Sequence, residues 1–421
     1  MFKHILIWTV ATILLITGAY ADPLTLEWVT SKDMVSYKVG DAITFKIRLQ
    51  KDGAIVVGKK MKWKRSGSDQ LTASGEGVSE KMPLTIETSM AMPGFVRIEV
   101  WVYNKDGKPE KYTKGYYKGR PLKFEGGVGV QPEKLKGYPS PKDFDAFWQK
   151  QRARLESVPV KAKLIPIKDA KVDFVLYDVS IDCAGPKPVR GYLSIPEKAK
   201  EKSLKAQVLF HGYGVTGASK RYAKGKITLD INPHGIENGR ETAYYERLKK
   251  GELKGYGFNS TENALPETCY FNGMILRVMR ALDYIKTRPE WNGKDLIVSG
   301  GSQGGLQSIA AAALDPDVTN CHAFKPWCCD VGGIKLGRIR GWRPDFEPGL
   351  AYYDTASMGK RITCETFISA GMGDYVCPPS GIAVLYNNIK GNKTIQYIQG
   401  ATHGYTPPHP VKQVISTKKN I

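Results

Sequence analysis

The heptapeptide SGGSQGG, residues 299–305, sets Ser302 among glycines. Serine and glycine alone suit a linker, a phosphate cradle or the mount of a nucleophile, so the flanks decide. The apolar run LIVS (296–299) precedes it and LQSIAAAAL follows. The first reads as a buried strand and the second as a helix, which places Ser302 in a G-x-S-x-G turn between strand and helix. The stretch around Ser302 holds neither a G-x-G-x-x-G pattern nor a phosphate-loop lysine. A serine so mounted is a nucleophile for acyl transfer, provided that a base and an acid accompany it.

Three histidines follow Ser302: His322, His403 and His409. His322 falls directly after the nucleophile's helix, and His409 sits among prolines in TPPHP. His403 follows the strand-like TIQYI (394–398) by the short loop QGAT, where a base would hang from a strand end. The same logic selects Asp374 as the acid, which follows the run TFISA (366–370) through Gly371-Met372-Gly373. Asp345 and Asp354 have no evident strand before them. The order serine, acid, histidine is that of the nucleophile-elbow hydrolases. An oxyanion needs two backbone donors. One is the amide of Gln303, after the nucleophile. The other comes from the loop His211-Gly212-Tyr213-Gly214 that follows the run AQVLF (206–210). His211 reads as a structural residue of that loop.

These residues need a scaffold, and from Pro141 onward the pattern supplies one. Short apolar runs alternate with helical patterns such as FNGMILRVMRALDYIKTRPE, in which Ile275, Val278, Met279, Leu282 and Ile285 share a face and Pro289 marks the end. Strands alternating with helices predict a mostly parallel sheet flanked by helices. Leu24 to Tyr103 has period two instead: Ile43, Phe45, Ile47 and Leu49 share one face, as do Val96, Ile98, Val100 and Val102. About seven short strands there predict an immunoglobulin-like β-sandwich without a catalytic constellation. The run Lys59–Arg65 should turn Met61 and Trp63 inward and most of its charge to water. The domain reading is a signal peptide over 1–21, a sandwich over 22–105, a connection over 106–140 and the catalytic unit over 141–421.

Lys3, the apolar run Ile5–Ile16 and Ala19-Tyr20-Ala21 make that signal pattern. An exported, periplasmic or secreted, protein without stable membrane insertion is expected. Seven cysteines, an odd count, leave at least one thiol free, and no C-x-x-C zinc spacing occurs. The net charge of +21 attracts anionic partners. No nucleic-acid motif accompanies it, so acidic polysaccharide suits the charge better than nucleic acid.

The pieces DFDAFW, VRGYLSIP, LFHGYG, YFNGMILRVMRALDYIKTRPE, GGSQGG, AAALDP, YYDTA, GMGDYVCPP and ATHG occur in this order between about residues 141 and 405. In sequence and spacing they resemble the acetyl xylan esterase and cephalosporin C deacetylase family, carbohydrate esterase family seven. The resemblance implies an α/β-hydrolase that removes acetyl groups from xylo-oligosaccharides and similar small esters without a metal or other cofactor. It puts the catalytic roles on Ser302, Asp374 and His403 and the oxyanion donors on the amides of Tyr213 and Gln303. Hexameric rings common in the family make a homo-oligomer an expectation. The chain departs from the family at three points: DINPHGIENG stands where an Arg-Gly-Gln motif is usual, Gly404 stands where glutamate usually follows the base, and an N-terminal sandwich is added. His234, in the first of these segments, is expected to be structural. Rival readings are an esterase of feruloyl type, a peptidase of prolyl-oligopeptidase type, and a carbohydrate-binding protein without activity. The missing propeller and the complete serine–acid–histidine set speak against the last two.

Overall fold

The computed structural model describes residues 24–114, 117–168, 171–407 and 409–418. The expected signal peptide, 1–21, lies outside them. Leu24–Tyr103 folds as seven strands: β1 (Leu24–Thr30), β2 (Ile43–Lys51), β3 (Ala54–Ile55), β4 (Lys60–Gly67), β5 (Ala73–Val78), β6 (Leu84–Thr88) and β7 (Gly94–Tyr103). An eighth, β8 (Lys123–Val130), pairs antiparallel with β7. Two four-stranded sheets result. In one, β2 pairs with β1, β3 and β6; the other runs β5-β4-β7-β8. The alternating residues of β2 and β7 meet in one apolar core, where Ile43, Phe45, Ile98 and Val100 are fully buried.

Two features depart from the sequence reading. The expected connection 106–140 contains β8. Its sequence KFEGGVGV has too few side chains to show a period, although Phe124, Val128 and Val130 are buried. Arg65 is buried rather than solvated. It shares the inward parity of Met61, and its guanidinium is gripped by both carboxylate oxygens of Asp69, 2.6 and 2.5 Å away. A paired and hydrogen-bonded charge tolerates burial.

After α1 (Phe144–Glu156) come β9 (Ala162–Pro166), β10 (Phe174–Ile181), β11 (Val189–Pro196), β12 (Leu204–Phe210) and β13 (Lys226–Asn232). Helices α2 (Thr242–Lys250), α3 (Ser260–Asn263) and α4 (Tyr270–Lys286) lead to β14 (Trp291–Gly301), α5 (Gln303–Leu314) and β15 (Asn320–Phe324). The chain continues through α6 (Thr355–Gly359), β16 (Glu365–Gly371), α7 (Pro379–Asn388), β17 (Lys393–Ile398) and β18 (Lys412–Thr417). One ten-stranded sheet takes the order β18-β17-β16-β15-β14-β12-β13-β11-β10-β9. Its centre, from β13 to β17, is parallel, and antiparallel strands flank it on both sides. The five α4 residues expected to share a face are all buried, but so are Phe271, Met274 and Arg280. The helix is thus enclosed on nearly every side.

The two halves are packed together. Phe95 of β7 belongs to the larger core and faces Tyr397 of β17, ring centroids 6.0 Å apart. No described helix is long and apolar enough to cross a membrane. All seven cysteines are free.

Candidate active site

Because β12, β14, β16 and β17 run parallel, their carboxyl ends open on one edge, and the loops leaving them converge there. Ser302 is the single residue between β14 and α5. Its backbone takes φ 58° and ψ −120°, a conformation costly for a residue with a side chain. The surroundings enforce it: the Ser302 amide donates to Phe324 O at 2.9 Å, and Ser302 O accepts from the Trp327 amide at 3.0 Å. Small residues on both sides are obligatory. A Cβ on Gly300 would lie 2.5 Å from Gly304 O, and one on Gly304 would lie 2.2 Å from Phe210 O. Gly304→Ala is therefore expected to destabilise the fold by about 1–3 kcal/mol, as overpacking does. A denaturant melt reads this, and an unchanged midpoint would contradict the steric argument.

His403 reaches the serine from the loop beyond β17. Its Nε2 lies 3.0 Å from Ser302 Oγ, and its Nδ1 lies 3.1 Å from Asp374 Oδ2. Asp374 is buried, and its other oxygen accepts the amides of Val376 and Cys377 at 2.8 and 2.9 Å. The carboxylate is thus fixed by its own turn while one oxygen faces the imidazole. The other histidines and acids fall elsewhere. His322 lies within β15, and burial lowers its pKa. Asp345 pairs with Arg340 at 3.0 Å, mostly in solvent. Asp354 is buried and accepts the amides of Asp330, Val331 and Ala356, while burial and the nearby Asp330 carboxylate raise its pKa.

The loop after β12 rests on the elbow, since a Cβ on Gly212 would come within 3.8 Å of Ser302 Cβ. Gln303 is the first residue of α5, where an amide has no intrahelical acceptor. The Tyr213 amide has no acceptor within the protein among the described residues. The next amide, Gly214, donates to the Tyr256 hydroxyl at 2.8 Å, which in turn donates to Gln303 Oε1 at 3.0 Å. His234 braces the same loop from below, with Nε2 2.9 Å from Gly214 O and Nδ1 2.6 Å from the Tyr270 hydroxyl. Burial holds its pKa down to about 3, so the ring stays neutral as a structural strut. His211 is half-buried, desolvation lowers its pKa, and its Nδ1 lies 3.1 Å from Gly212 O.

Sequence reasoning missed the aromatic packing around this loop. The Tyr213 ring stacks on Tyr256 at 4.2 Å and meets Trp342 edge-on at 4.8 Å and Trp327 at 5.6 Å. It also missed Lys325, whose ammonium donates to Thr402 O at 2.6 Å and ties the end of β15 to the histidine loop. Most of all, it missed the contribution of the N-terminal sheets. Arg97 Nε donates to Gly373 O at 3.1 Å, next to Asp374. Gln399, at the start of the histidine loop, exchanges two hydrogen bonds with Gly127 of β8, at 2.8 and 2.7 Å. The Tyr117 hydroxyl donates to Gly404 O at 3.3 Å, at the position where the family usually carries glutamate.

A parallel-centred sheet with helices on its faces, carrying a serine elbow at its carboxyl edge, defines an α/β-hydrolase fold. The chain is a carboxylic ester hydrolase. It belongs to the acetyl xylan esterase family, whose sequence model matches residues 132–335 and 346–420. It is 29% identical over 353 residues to the acetyl esterase Axe7A of Xylanibacter ruminicola, covering 79% of this chain and 76% of the relative. Two solved structures share the fold. They are an acetyl xylan esterase from a Paenibacillus species (24% identity, TM-score 0.53) and acetyl xylan esterase 1 from a Thermoanaerobacterium species (23%, TM-score 0.55). Each match covers 66% of this chain and 94% of the other.

Proposed function

We propose that the protein is an exported serine esterase that removes acetyl groups from xylo-oligosaccharides or related acetylated carbohydrates through an acyl-enzyme. The observation that carries the reading is the hydrogen-bonded series Ser302 Oγ, His403 Nε2, His403 Nδ1 and Asp374 Oδ2, with spacings of 3.0 and 3.1 Å across the ring. The acetyl specificity is supported by the named relative, an acetyl esterase. The export is supported by the sequence pattern of residues 1–21.

In this mechanism Ser302 Oγ attacks the acetyl carbonyl carbon while His403 Nε2 takes its proton. Asp374 accepts from Nδ1–H, which leaves Nε2 unprotonated before attack and stabilises the imidazolium afterwards. The carbonyl oxygen gains negative charge and accepts from the amides of Tyr213 and Gln303. Collapse breaks the bond to the sugar oxygen, and His403 protonates it. Water, deprotonated by His403, then attacks the acetyl-serine and releases acetate.

Two measurements on the full-length protein test this together. A fluorophosphonate should label Ser302, located by peptide mapping, and acetate should be released from acetylated xylo-oligosaccharides. Labelling with release of ferulate but not acetate would move the enzyme to another acyl class. No labelling of folded protein would remove the serine mechanism.

A further inference from the structure

Beside the histidine loop, the outer face of the second N-terminal sheet forms part of a cavity of about 290 Å³. Its walls include Trp101 of β7, Arg120, Lys123 of β8, Tyr375 and Tyr405. Tyr375 follows Asp374 directly, and Tyr405 lies two residues beyond His403. The cavity therefore abuts both loops of the active site. Trp101 faces it because its neighbours Val100 and Val102 point into the core, and alternation turns the indole outward. A second, shallower hollow of about 360 Å³ adjoins it on the same sheet face, with Trp101 as the shared wall and Lys62, Lys64 and Tyr103 beyond.

The chemistry of this surface is aromatic and cationic. Its two carboxylates are already engaged. Glu125 bonds to Arg97 and to Lys123 at 2.7 Å, and Glu76 bonds to Lys60 and Lys62 at 2.6 and 3.0 Å. Arg120 pairs with no carboxylate among the described residues, and its guanidinium stands 5.7 Å over the Tyr117 ring. Apolar flat walls with a few placed polar groups are the pattern of a small-ligand site. A pyranose matches it, because its C–H faces lie on aromatic rings while its edge carries hydroxyls. A free guanidinium in such a site selects a carboxylate, which it meets with two parallel hydrogen bonds.

We propose that this cavity is a saccharide subsite for an acidic pyranose, a uronyl residue of the acetylated glycan. Aromatic rings hold its face and Arg120 holds its carboxylate, while a neighbouring sugar presents its acetyl ester to Ser302. This rests on the esterase reading above for the nature of the substrate, but not for the binding itself.

The test is calorimetric titration of full-length Ser302→Ala protein, which binds without turnover. The probes are a xylo-oligosaccharide carrying one glucuronyl group and the neutral oligosaccharide of the same length. The acidic probe should bind about tenfold more tightly, as a charge-assisted contact at a partly exposed site allows. The preference should shrink with added salt. Adding Arg120→Gln should abolish the preference, and adding Trp101→Ala should weaken both probes. Equal affinity for the two probes, or a preference that survives Arg120→Gln, overturns the acidic assignment. Binding indifferent to Trp101→Ala overturns the site. Failure of the esterase reading would show separately, as absent p-nitrophenyl acetate hydrolysis by the unaltered enzyme with probe binding intact.

Discussion

Replacing Ser302 with alanine is expected to lower kcat on p-nitrophenyl acetate by about 10⁴- to 10⁶-fold, the range for loss of a triad nucleophile. The substitution removes only Oγ. The bonds that hold the strained turn, from Ser302 N to Phe324 O and from Trp327 N to Ser302 O, are made by backbone and persist. The imidazole of His403 is partly exposed, so water can replace the lost hydroxyl. A melt of the variant should thus match that of the parent while the rate collapses. Near-normal turnover by folded Ser302→Ala protein would remove the serine from the mechanism.

Asp374→Asn should cost about 10⁴-fold in kcat. The amide oxygen can still accept the amides of Val376 and Cys377, so the turn keeps its shape. Its nitrogen, however, then faces His403 Nδ1 as a donor. That favours the tautomer with hydrogen on Nε2, which cannot accept the serine proton. KM should change far less than kcat. Asp354→Asn is the contrasting case. Its oxygens hold the amides of Asp330, Val331 and Ala356, so the melt should suffer and the rate of the surviving folded protein should not. The reverse outcome, Asp354→Asn crippling kcat and Asp374→Asn sparing it, would mean that the acid was chosen wrongly.

The parts of this site legible in the sequence are those with local signals. An apolar run before a glycine-flanked serine and an alanine-rich run after it report strand, turn and helix within about twenty residues. Asp374 and His403 were found the same way, as polar residues a short loop beyond buried strands. The illegible parts have non-local causes. Strand β8 has glycines where its backbone is crowded: a Cβ on Gly127 would lie 2.2 Å from Val96 O and 3.0 Å from Met372 O. Without side chains there, the strand showed no period. The burial of Arg65 depends on Asp69 folding back on it, which strand alternation does not encode. His234 was expected to be structural, but that it braces Gly214 against Tyr270 follows only from their positions in the fold. The contacts of Arg97, Tyr117 and Gly127 with the active-site loops join segments too distant in sequence for any pattern to connect.

Those last contacts have a consequence for when the enzyme becomes competent. Gly127 and Gln399 are 272 residues apart, and Arg97 and Gly373 are 276 apart. A chain emerging from its N-terminus completes the two small sheets long before the acid and histidine loops exist. Those loops, once formed, settle against a surface already waiting for them. Closing contacts of such sequence separation is slow, so assembly of the acid–base pair should be among the last events of folding. Loosening the N-terminal sheets should silence the distant serine before the larger sheet begins to unfold. The N-terminal unit is thus expected to make hydrolytic power depend on the meeting of two distant stretches of the chain.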